Sequence, residues 1–144
     1  MDFFTLIATT SLAVQIVVLI LLAVGYSLKG KKKFRQHGIT MTTAVALHLV
    51  TILIVMIPSF VNGFSSPHID FTNWLVIISL VHAAFGSIAA ILGVWVVASW
   101  HLKKDMQTCF AKKRIMLSTL TLWLTAILLG IVMYISFYAT RLLG

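Results

Sequence analysis

Three histidines and one methionine are the residues of this chain whose type and setting offer chemistry. His37, Met41 and His48 fall in RQHGITMTTAVALHL, residues 35–49, and His82 falls in SLVHAAFGSIAAI. Each lies in or beside a long apolar run, where an ionisable group is a functional candidate by default, although a neutral imidazole costs far less there than a charge. Imidazole suits haem iron and copper, and a thioether suits soft metals. His48 and His82 are candidates for the axial ligands of a haem b. His37 is a candidate partner for His101, or with Met41 for the start of a copper site.

The elements that must position these residues are membrane spans. The chain has 144 residues, 60% hydrophobic and 10% charged, outside the range of soluble domains. Four apolar runs, 3–28, 39–61, 74–100 and 115–139, each exceed the ~20 residues that cross a bilayer as helix. Backbone groups in hydrocarbon must bond internally, so the fold expected is an all-α, four-helix transmembrane bundle in one domain, 1–144. Short connections make neighbours antiparallel and give an up-down-up-down arrangement. Pro58 predicts a bend or an early end in the second helix. Trp74, Trp100, Tyr26 and Tyr138 lie near span ends, as interfacial aromatics do.

The net charge of +8 is a matter of topology. Ten of the eleven Lys and Arg residues lie in two clusters, one around Lys31, Lys32, Lys33 and Arg35 and one between the third and fourth runs. Basic loops stay cytoplasmic, so both termini are expected outside. Lys31, Lys32, Lys33 and Arg35 are also placed to hold anionic lipid head groups. Nucleic acid is not an expected partner. MDFFTL lacks the basic n-region of a signal peptide, so the first run is expected to remain as a span. Cys109 is the only cysteine, which excludes an internal disulfide.

Helical periodicity of ~100° per residue gathers the polar and small residues into stripes. His37, Met41, Ala44, His48, Thr51, Val55 and Ser59 share one line of the second helix; Ser79, His82, Gly86, Ala89 and Gly93 share one on the third. Lys112, Met116, Thr119, Trp123, Gly130 and Tyr134 share one on the fourth, and the first helix offers Gln15. These stripes are expected to face inward, because small residues let membrane helices approach.

Depth discriminates between the pairings. At ~1.5 Å rise per residue, His48 lies about 16 Å outward of His37 and His82 about 28 Å outward of His101, so both pairs cannot form at once. Levelling the outer helix ends leaves His48 and His82 staggered by about 7 to 8 Å. His82 is instead expected to find Tyr134 or Gln15 near its own depth, in an interhelical hydrogen bond worth about 0.6 kcal/mol. His68 and Asp70, in the loop NGFSSPHIDFTN, read as solvated residues. No Asp or Glu lies within a span, which weakens pump and cation-transporter readings, and no set of catalytic groups is visible.

Three stretches in order, SLKGKKKFRQHGITM, SLVHAAFGSIAAI and AKKRIMLSTLTLWLTAILLGIVMY, resemble the small four-span membrane family known as domain of unknown function 420. His37, Met41, His82, Ala84, Trp123, Gly130 and Tyr134 carry the likeness. Lys112 stands where the family pattern has His, Ser59 near another such position, and His48 is outside the pattern. The resemblance implies association with haem-copper terminal oxidases and a more distant likeness to four-helix b-type cytochromes. The expectation is thus a non-catalytic accessory or assembly subunit of a membrane oxidase or oxygenase in a prokaryotic cytoplasmic membrane. It is expected to bind no cofactor of its own; the alternative is a b-type haem electron carrier.

Overall fold

The computed structural model describes residues 3–65, 68–101 and 112–142. Helix α1 spans Phe3–Gly30. Helix α2, Phe34–Thr51, continues through one π-helical turn, Ile52–Met56, into α3, Ile57–Phe64. Helix α4 spans Trp74–His101 and α5 spans Lys113–Leu142. Four segments are long and apolar enough to cross a membrane: Thr5–Gly30, Phe34–Phe64, Trp74–Trp100 and Lys113–Tyr138. All four expected helices are present, and the main difference lies at the start of the second, which begins at Phe34 rather than near 39. Cys109 and the side chain of His101 lie outside the described residues.

The early start of α2 comes from a tight turn. The Lys33 amide donates to the Leu28 carbonyl and the Lys32 amide to the Lys29 carbonyl, both at 3.0 Å, which closes the last turn of α1 in a Schellman motif. Lys32 takes the left-handed position with φ 59°. A side chain there costs about 1–2 kcal/mol where glycine would cost little, so the lysine is kept at some expense in local stability. Its charge remains at the end of the helix.

Contacts across the bundle define its neighbours. Gly25 faces Met41 and Gln15 faces His48, so α1 and α2 run in opposite senses. Lys112 lies over the Trp95 ring while His82 reaches Ala126, which sets α4 against α5 in the same way. Gly93 meets Val45 and Trp123 between these pairs, and Thr9 meets Tyr134. The core contains Val18, Leu22, Ala44, Val45, Ala89, Trp123 and Ile127. Small residues occupy the tightest crossing: a Cβ added to Gly38 would overlap the six-membered ring of Trp100. Trp100, expected at the lipid interface, is instead turned inward onto α2, because Gly38 gives its ring a flat seat.

Pro58 neither ends nor sharply breaks its helix. The Ile57 amide bonds the Ile52 carbonyl, five residues back, so the helix widens by one residue just before the proline and continues. That extra residue rotates the remainder of the span by about 100°. The inward stripe stops there: His37, Ala44, His48 and Thr51 are buried, whereas Ser59 is exposed and no residue of Ile52–Met56 or Ile57–Phe64 is buried. Phe60 and Phe64 stack on each other at 4.4 Å.

Candidate functional site

The three histidines of the spans are held in the same manner. Carbonyl and amide oxygens only accept, so in each pairing the ring nitrogen is the donor. His37 Nδ1 donates to the Gly25 carbonyl at 2.7 Å, His82 Nδ1 to the Ala126 carbonyl at 2.8 Å, and His48 Nδ1 to Gln15 Oε1 at 3.2 Å. In the neutral ring this fixes the tautomer with the lone pair on Nε2, the arrangement found when a histidine is oriented by a second partner.

The partners differ from those expected from depth alone. His82 takes a backbone carbonyl on α5 rather than Tyr134 or Gln15, and packs against Gly130, whose absent side chain leaves room for the ring. An added Cβ there would lie 3.1 Å from His82 Cε1. Tyr134 bonds Thr9 at 2.8 Å. Thr9 already donates to the Thr5 carbonyl, so the phenol is the donor in that pair. Gln15 goes to His48.

These pairings are accessible in principle once the turn is placed. Residues roughly equidistant from Lys32 face each other across α1 and α2: Gly25 with His37, and Gln15 with His48. The longer connection expected between 29 and 38 conceals that register. It also makes His37 look interfacial, whereas only 4% of its surface is exposed.

His48 is 2% exposed, its ring 4.7 Å from that of Trp123 at 45°. Around this layer three buried atoms have no protein hydrogen-bond partner: Gln15 Nε2, His48 Nε2 and Trp123 Nε1. Two unused donors and one unused acceptor therefore share the middle of the bundle, each carrying a desolvation cost of about 1–3 kcal/mol.

His48 and His82 are not level in this packing. His48 lies level with Trp123, while His82 lies level with the turns of Ala126 and Gly130, up to about 10 Å further along α5 by helical rise. One ring has a tryptophan against it and the other a glycine of the neighbouring helix. Ala84 is exposed, Trp123 is buried in the core, and Gly130 and Tyr134 are half-buried. Among the described residues no group of three or more His, Cys, Asp or Glu converges.

The structure does hold a cavity of about 80 Å³, at the end that carries the basic residues. All four spans line it. His37 and Met41 contribute from α2, Trp100 from α4, Lys112 from the turn before α5, and Met116 and Trp123 from α5. Sequence does not mark Met116 as a ligand, because its stripe position reads equally well as core. Lys31, Lys32, Lys33 and Arg35 are exposed beside this end, where head groups would lie. No protein-family model, no curated protein and no solved structure matches this chain.

Proposed function

We propose that the chain is a non-catalytic accessory or assembly subunit of a larger membrane oxidase or oxygenase complex, of the respiratory haem-copper type or a related metal-dependent one. The observation that carries this reading is the end of the second span beyond Thr51. It exposes Leu53 63%, Ile54 69%, Ile57 48% and Val61 56% on a segment that buries no residue of its own. In the proposed complex a partner subunit's helices take the place of lipid on that face. The resemblance to the four-span family points the same way.

The arrangement proposed is up-down-up-down in a prokaryotic cytoplasmic membrane, with both termini outside. The basic ends of α1, α2 and α5 then lie in the cytoplasm beside anionic lipid. Co-purification in mild detergent tests the reading: oxidase-type subunits are expected with the tagged chain, and a chain that runs alone would sink it. His82→Ala frees the Ala126 carbonyl and the space at Gly130, so it should lower complex yield more than His68→Ala in the exposed loop. Equal losses would deny His82 any special part in assembly.

A second reading, a b-type haem carrier, is favoured by one observation: the Nδ1 atoms of His48 and His82 are both held, which leaves Nε2 as each ring's ligand atom. It requires α2 and α4 to part from their close packing on Trp123 and Gly130. An absorption spectrum of the purified protein decides it, since a flat Soret region unchanged by reduction excludes a bound haem.

A further inference from the structure

We propose that the cavity at the basic end is a site for one Cu(I) ion, ligated by the imidazole of His37 and the thioethers of Met41 and Met116. The inference does not depend on the identity of a partner complex. It rests on a His and a Met one turn apart on α2 and on a Met distant in sequence, which the fold brings to the same void.

His37 is prepared as a ligand. Its Nδ1 is fixed at 2.7 Å from the Gly25 carbonyl, which assigns the ring proton to that nitrogen and leaves Nε2 as the remaining electron pair. Met41 comes one turn later on the same helix and packs against the same glycine, its Sδ 3.3 Å from where a Gly25 Cβ would be. Met116 enters from α5, so the donors come from two walls of the cavity.

Donor chemistry selects the ion. Imidazole and thioether are neutral, and thioether is a ligand for soft metals such as Cu(I). Calcium and magnesium require several oxygen ligands, usually with carboxylates among them. Among the described residues the cavity wall carries no carboxylate, and its side-chain oxygens are the two hydroxyls of Thr42 and Thr119, which donate to the Gly38 and Ile115 carbonyls of their own helix, each at 2.8 Å. A low-charge ion is also the one least penalised among apolar walls. Among the described residues Lys112 is the one cation on the cavity wall, and its ammonium lies over the Trp95 ring, 5.1 Å from the centroid.

The described cavity is smaller than sites that take up an apolar ring. Cavities of roughly 150 Å³ take up benzene, and a water occupies about 30 Å³ of liquid. The void of about 80 Å³ is short of the first and ample for an ion with its ligand atoms. The competing explanation of the methionines is that they are flexible core filler. Leucine fills a core nearly as well as methionine but carries no sulfur, so the two explanations separate by substitution.

The test uses the full chain in lipid nanodiscs under ascorbate, with Cu(I) partitioned against bicinchoninate and the bound metal read by X-ray absorption. One equivalent is expected, with nitrogen and sulfur scatterers. Cys109→Ser should retain it, because the one thiol of the sequence is not among the proposed ligands. Met41→Leu and Met116→Leu should each weaken binding by about tenfold or more, and the double variant should abolish it while keeping the wild-type melting curve. No uptake by the wild type, loss of binding in Cys109→Ser, or wild-type affinity in the double leucine variant would each overturn the proposal.

Discussion

At the scale of single residues, a polar side chain in this protein is defined by the partner that holds it. Asp70 shows this outside the spans, where Oδ1 accepts the Thr72 amide at 2.9 Å and the Thr72 hydroxyl as well. The hydroxyl, and then the amide, hold the Asp70 carboxyl below its ordinary value. A carboxyl depressed in the folded state stabilises the turn above its unfolded pKa, and that contribution is lost as pH falls through the lower, folded value. Thr72→Val should therefore raise the Asp70 midpoint toward the ordinary carboxylate range, read by NMR of the side-chain carboxyl. An unchanged midpoint would remove the hydroxyl as the cause. Within the spans, the types and positions of His37, His48 and His82 were legible in the sequence. Their acceptors were not, since Gly25 and Ala126 offer a backbone carbonyl that every residue has, and Gln15, expected near His82, goes to His48.

At the scale of helices, apolar length and the small-residue stripes made the spans and their inner faces readable, because in hydrocarbon the backbone has no other way to satisfy itself. Helix ends and connections were less so. The Lys32 turn uses a lysine where glycine is usual, which hides it. The π turn before Pro58 is a local relaxation with no composition of its own. Glycine at a crossing is more predictive. Gly38→Ala must push the rigid Trp100 ring off α2, and overpacking of this kind costs about 1–3 kcal/mol. Gly130→Ala meets an imidazole atom at 3.1 Å that a small shift relieves. Thermal unfolding in detergent should accordingly rank Gly38→Ala well below Gly130→Ala, and the reverse order would contradict so close a crossing of α2 and α4.

At the scale of the whole molecule, the charge asymmetry and the packing make separate claims. With single cysteines placed at Lys31 and at Asn62 in a Cys109→Ser background, a membrane-impermeant maleimide should label the Asn62 site on intact cells and the Lys31 site only in inverted or opened membranes. Labelling of both from one side would refute the crossing of the second span. The polar clasps divide the bundle differently. Gly25 with His37 and Gln15 with His48 tie α1 to α2, and Ala126 with His82 ties α4 to α5, whereas Thr9 with Tyr134 is a side-chain hydrogen bond between the two pairs. The protein is thus built as two hairpins, each closed on its own polar groups. A ribosome could deliver them as independent messages: fragments 1–65 and 66–144, made from separate genes in one cell, should find each other in the bilayer and restore the four-helix unit.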